Sequence, residues 1–473
     1  MTKFVQHLRH HTRCSSGDSP SPVLSPDALR DLAHEIFSLT SVSATRLAID
    51  HRALATLRVA KGEARLNTSG DTLFLDITSR LGQRQPIALR INQVDHASLR
   101  QIIEYIERIA RHEFGDPIDT AMPIPPRSYV PNRAWHASTM SAFFDGRHGV
   151  VERLVAPVNA AGLITSAFVG VTVKSMLRAD KHGIFVTGQE TDSEITVTAW
   201  NANRQGSGWA GQAARDWTMQ RPDAIAHRAI EITKLAANPV AFEPGRYTVI
   251  LDRPAVAQIV SQMGGDLWAL PPIEQHTGVM YDRNIKRARF GQRVVDARIT
   301  LSSDPNDPEG GYIPFNYRGD PLVPMTWVEN GVLKNLAYDT FVALRHGVSP
   351  ANDPPASLRM SGGPTTVEEM IASCPFGIYV NRLSQVTGVE GQQEALLTGV
   401  TNGGCFLVRN GKIVKSIRDL RFVESPWLAF NRIEAIGTSE RTALGYGNWP
   451  GPPTIVPPLM IREFNFTALK DVW

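Results

Sequence analysis

At 473 residues the chain is long enough for two or three domains of ordinary size, and its 42% hydrophobic and 20% charged residues describe a soluble globular protein with an adequate core. A net charge of +3, spread without a basic stripe, excludes the electrostatic footprint of a nucleic-acid binder. No apolar run reaches the roughly 18–20 residues that a membrane-spanning helix needs. Three cysteines, Cys14, Cys374 and Cys405, are too few for a disulfide framework and suit a reducing compartment, which points to the cytoplasm.

Residues 1–24 read as a disordered tail without the apolar core of a secretory signal. His7, His10, His11 and Cys14 have spacings that could catch a metal, but a mobile tail binding only adventitious metal is the plainer reading. Ser25-Pro26-Asp27 starts a helix over 26–38, with Leu29, Leu32, Ala33 and Ile36 on one face. Extended runs follow at 46–50, 55–60, 72–80 and 86–92. A second helix begins after Asp95 and carries Leu99, Ile103 and Ile106. Residues 115–133, with five prolines, read as an exposed connector. A helix is expected over 146–160, strands near 163–176, 183–188 and 194–201, and a helix over 222–237. The fold class is therefore α+β, with an N-terminal domain over 25–239.

From residue 240 to 473 the pattern is strand-rich. Asn330-Gly331 and Asn410-Gly411 each separate short apolar runs, and Asn-Gly tolerates the positive φ of a type I′ hairpin turn. Further strands are expected at 293–301, 376–380 and 432–436. The stretch Arg246–Gly265 has the clearest layout. An apolar run, Tyr247–Leu251, ends at Asp252-Arg253-Pro254, and a short buried helix then runs to Met263 and stops at Gly264-Gly265.

This layout resembles the C-terminal half of the TldD/PmbA (TldE) proteins, a metallopeptidase-related family. In its zinc-bearing members the helix after this strand carries His-Glu, three residues, then His. Here nothing from Ala255 to Gly265 can ligate zinc, and the two His-Glu pairs, His34-Glu35 and His112-Glu113, lack a suitably spaced second His. The chain is similar to the zinc-less partner type. The resemblance implies a non-catalytic subunit of a peptide-cleaving or peptide-maturing complex, without a cofactor of its own. Zinc would then sit in an HExxxH partner, in a heterodimer, with a homodimer as the other possibility. A stand-alone biosynthetic enzyme on the same fold, or a peptide-binding protein, are the rival readings.

Five residues are singled out as candidate peptide contacts. Gly206-Ser-Gly208-Trp-Ala-Gly211 matches G-x-G-x-x-G before a possible helix at 212–219, with Glu231 a further 20 residues on. No βαβ unit surrounds it, so a structural glycine loop is favoured over a dinucleotide site. In the family such a turn bends near the cleft, where Arg204 and Trp209 could touch a peptide. Asp304, Asp307 and Glu309 lie in a turn-rich stretch without EF-hand spacing, and solvated turn acids are the plain reading. Glu309-Gly310 resembles an element of the family's cleft. His276, with Asp282 near it in sequence, could be a substitute ligand or base, although a lone His is more often a satisfied surface residue. Cys405 falls in the region where zinc-bearing relatives contribute a cysteine; a buried core thiol is the safer reading.

Overall fold

A computed structural model describes residues 21–82, 86–92, 94–112, 128–348, 357–389, 394–445 and 453–469. His7, His10, His11 and Cys14, and most of the proline-rich connector, lie outside the described residues. The last part of the expected tail is packed: Val23 and Leu24 are buried, and the Leu24 amide donates to His51 Nδ1 at 2.9 Å.

The N-terminal half is one antiparallel sheet of long strands: β1 (Ala44–Ala60), β2 (Glu63–Arg80), β3 (Ile87–Ile91), β4 (Ile164–Asp180), β5 (Phe185–Trp200) and β6 (Ser207–Ala214), in the order β3-β2-β1-β4-β5-β6. Five helices, α1 (Pro26–Leu39), α2 (His96–His112), α3 (Ala137–Phe144), α4 (Arg147–Ala160) and α5 (Pro222–Leu235), cover a single face. Side chains alternate across a strand, so the odd positions of β1 form the seam beneath them. Leu47 and Ile49 pack with α1 and α2, Ala53 and Ala55 with α3, and Leu57 and Val59 with α4 and α5. Ser25 caps α1 by accepting from the Ala28 amide, with Pro26 in the first turn.

The C-terminal half is strand-rich, which completes an α+β fold. β7 (Gly245–Leu251) lies between strand 459–469, antiparallel to it, and strand 376–380, parallel to it, in a nine-stranded sheet. A second sheet of six strands contains 301–303, 325–329, 358–360 and 454–456. Between the two sheets lies α6 (Arg253–Met263), capped by the Asp252 carboxylate and buried almost throughout its length. Both Asn-Gly turns form with positive φ at both central residues: 49° and 78° at Asn330-Gly331, 51° and 75° at Asn410-Gly411. Among the described residues no helix is long and apolar enough to cross a membrane.

Several sequence expectations need correction. The runs 46–50 and 55–60 are one unbroken strand, as are 183–188 and 194–201. The gaps that suggested loops, 51–54 and 189–193, hold polar residues on both faces of the sheet: His51, Thr191 and Ser193 on the helix side, Arg52, Glu190 and Asp192 on the other. The region 293–301 is irregular, with a strand only at 301–303, and α3 was not foreseen. The G-x-G-x-x-G stretch is neither a phosphate loop nor the start of a helix: it runs into β6, whose backbone presses against α5. A Cβ at Gly206 would come within 2.0 Å of the Ala236 carbonyl, and one at Gly208 within 2.4 Å of the Ala229 carbonyl. The glycines serve close packing, and Glu231 is exposed on α5.

Candidate functional site

The helix-free face of the N-terminal sheet is where charge accumulates. Glu190, Asp192 and Glu194 occupy alternate positions of β5 and so share that face. All three are buried, because the C-terminal half lies across them. Burying carboxylates is costly unless cations and donors meet them. Lys174 sits opposite Glu190 on β4 and pairs with it. Arg215, just beyond β6, reaches Asp192 at 3.2 Å and Glu190 at 3.8 Å. From the C-terminal half, Arg441 donates through Nη2 to both Asp192 oxygens at 2.7 Å, and through Nη1 to the Glu309 carbonyl at 2.9 Å.

The acids fare differently. Burial pushes the Glu190 carboxyl upward, but Lys174, Arg215 and Arg441 outweigh it and hold it at about 2. Burial and the neighbouring Asp192 charge push Glu194 up to about 7, against a weaker pull from Arg382 and Arg441. Glu194 is 5% exposed, and its Oε1 has no hydrogen-bond partner among the described residues.

Aromatic rings flank this carboxyl. On β4 the Phe168 ring lies over Gly170, the residue opposite Glu194; on β6 the Trp209 ring lies over Gly211. The Arg382 guanidinium stacks on Trp209 at 4.4 Å, and Arg58 approaches Phe168 at 5.5 Å. Asn381 fixes the Trp209 backbone by donating to its carbonyl at 2.8 Å. A buried carboxyl that titrates near neutrality can accept or give a proton, as general acid–base groups do.

Of the residues picked from sequence, Trp209 and Glu309 reach this cleft. Trp209 is only 3% exposed. Glu309 contributes its carbonyl to Arg441, and its carboxylate is held by Arg359 at 2.7 Å. Arg204 instead sits at the turn after β5 with φ 56°, beside Lys61, Asn159 and Thr165. His276 is exposed and stacks on Tyr281 at 5.4 Å, while Asp282 pairs with Gln292 at 3.0 Å. Cys405 is 2% exposed, and burial raises its thiol far above the usual range. Sequence reading missed Lys174, Glu190, Asp192, Glu194, Arg215, Arg382 and Arg441. The available signal was three acids at alternate positions inside an otherwise strand-like run.

Zinc does not fit α6. Its buried side chains are Ala255, Val256, Ala257, Gln258, Ile259, Val260 and Met263. Gln258 donates to the Leu444 carbonyl at 2.5 Å. Among the described residues no three His, Cys, Asp or Glu side chains are grouped to hold a metal ion.

A helix-backed antiparallel sheet thus faces a strand-rich half built around a buried helix. Residues 244–468 match the family described as the PmbA/TldA metallopeptidase C-terminal domain. A metalloprotease from Archaeoglobus fulgidus is 24% identical over 212 residues, 42% of this chain and 47% of that protein, so the match spans about half the relative's length. Three crystal-structure comparisons establish the fold. A candidate modulator of DNA gyrase from Bacteroides thetaiotaomicron superposes with a TM-score of 0.76 at 16% identity, over 93% of this chain and 99% of that one. A similarly described protein from Thermotoga maritima gives 0.74 at 15% identity, over 93% and 100%. TldE from Thermococcus kodakarensis gives 0.74 at 16% identity, over 93% and 99%. The C-terminal half of the chain thus matches a TldD/PmbA-family domain, and the chain as a whole shares the fold of TldE.

Proposed function

We propose that this chain is the zinc-less subunit of a TldD/TldE-type complex that cleaves or matures peptides in the cytoplasm. The observation that carries the reading is α6. In the zinc-bearing members this helix supplies the metal ligands; here it offers one buried amide, Gln258, committed to the Leu444 carbonyl. Imidazole, thiolate or carboxylate ligands are required for zinc, and none is on this helix. An HExxxH partner would supply the metal and the water-activating glutamate. This chain would contribute one wall of the substrate channel, where an extended peptide could be held by backbone hydrogen bonds. Native mass spectrometry of tagged protein from its own host tests the assignment. A complex with a second chain of similar mass and one zinc is the expected result; a metal-free homodimer alone would overturn it.

One observation favours a second reading, a stand-alone enzyme with its own acid–base group. Burial and the Asp192 charge push Glu194 up to about 7 where the two halves meet, a setting in which functional groups concentrate. Peptide turnover by the metal-free homodimer, abolished in Glu194→Gln, would select this reading.

A further inference from the structure

The hairpin of β1 and β2 leaves one edge of the N-terminal sheet open. β1 pairs with β2 from end to end, but β3 covers the outer side of β2 only from Leu75 to Ser79. From 63 to 73 no described residue pairs with that outer side, and residues 63–72 are all exposed. Arg65 is the extra residue of a bulge near the Lys61-Gly62 turn, so the regular open edge runs from Leu66 to Leu73. Such an edge presents a row of unpaired N–H and C=O groups, a template for another strand.

The residues along this edge complement a second copy of themselves. Two identical strands related by a two-fold axis normal to the sheet run antiparallel, keep their faces and centre on one residue. Centred on Thr68, the pairing sets Arg65 against the second copy's Asp71 at both ends, and Leu66 against its Gly70. Arg65 and Asp71 are exposed, and their present partners are local: Arg65 meets Glu63 at 2.6 Å and Asp71 meets His51 at 3.0 Å. Leu66 is exposed too, and a Cβ placed on Gly70 would meet nothing within 4 Å. The leucine of one copy therefore lies over the gap that glycine leaves in the other. Centring on Asn67 sets Arg65 against Ser69, and centring on Ser69 sets it against Leu73, so of these registers Thr68 alone matches the charges.

We propose that the open edge of β2 is a self-association surface, on which a second copy of this chain adds its own β2 antiparallel about Thr68. The two N-terminal sheets then become one. Backbone bonds and the Leu66–Gly70 contact hold the strands, and the charge pairs set their register. β1 and β4 separate this edge from the acids of β5, so the cleft takes no part in the pairing. The pairing does not rest on the zinc-less reading, and either can fail alone.

Sedimentation of the full-length chain, purified with no second protein, tests it across a concentration series. The expected result is a reversible monomer–dimer equilibrium. Arg65→Asp sets like charges together at both ends and should raise the dissociation constant roughly tenfold or more. Adding Asp71→Arg restores opposite charges and should bring it back to within a few-fold. An unmodified protein that stays monomeric, or a double variant no tighter than the single one, would overturn the proposal. Thr68→Cys reads the register independently, because it places a thiol on the axis, where facing Cα atoms about 4.5–5.5 Å apart suit a disulfide. Mild oxidation should link two copies of Thr68→Cys, whereas Ser69→Cys, which faces Asn67, should stay unlinked. Equal linking of the two variants, or none in Thr68→Cys, would also overturn it.

Discussion

The Arg441 guanidinium is the most connected single group in the cleft, and its geometry decides what a substitution does. Its planar fork meets both oxygens of a buried carboxylate and a backbone carbonyl at once. Arg441→Ala would leave Asp192 buried with Arg215 alone at 3.2 Å. Removing one partner of a buried pair costs about 3–5 kcal/mol, so the urea midpoint should fall sharply. Arg441→Lys should recover little, because an ammonium cannot reproduce the fork. Cys374 and Cys405 give a contrasting residue-scale expectation. Burial raises both thiols, leaving little thiolate to react. Neither should be alkylated at pH 8 in the folded protein, and both should react in urea, as peptide mass mapping would show.

At the scale of elements, the tight junction of β6 with α5 should tolerate no added atom. Gly208→Ala would place its Cβ 2.6 Å from the Thr233 amide nitrogen as well as against the Ala229 carbonyl. Backbone cannot retreat as a flexible side chain can, so the cost should be at least the roughly 1–3 kcal/mol typical of overpacking, readable in thermal unfolding. This element also shows what was legible in the sequence. Helices α1, α2, α4 and α5 follow their apolar spacing, and α6 was marked by an apolar run, a proline in its first turn and a Gly-Gly stop. Both Asn-Gly hairpins were equally plain. All these signals are local. The cleft was not legible, because apolar alternation identifies strands by the face that meets the helices. In β1 the run Asp50-His51-Arg52, and in β5 the acids at 190, 192 and 194, break the pattern. The three acids of β5 are strand residues whose polar face is buried by a distant part of the chain, whereas His51 faces the helices and meets the Leu24 amide. Only the fold brings Arg441 to Asp192, 249 positions away in sequence.

Across the whole molecule, the two halves are joined by ionisable contacts, so stability should depend on pH in two opposite ways. Glu190, held at about 2 in the folded state, contributes stability that is present above its ordinary 4.5 and lost as pH falls toward 2. Glu194, raised to about 7, contributes stability that is present below 4.5 and lost as pH rises through 7. Its full shift corresponds to about 3 kcal/mol on the alkaline side, an order-of-magnitude figure. A second junction, where Arg228 of α5 meets Asp252 at 3.2 Å and Tyr379 at 2.7 Å, also ties the halves together. Glu194→Gln should remove the alkaline decline in melting temperature between pH 5 and 8 while keeping the acid limb set by Glu190. Tyr379→Phe removes the hydroxyl that donates to Asp252 at 2.7 Å, weakening the second junction by about 1–3 kcal/mol. In that variant the melting temperature should fall at every pH between 5 and 8. An unchanged melting temperature would mean that the Arg228–Asp252–Tyr379 cluster does not hold the halves together.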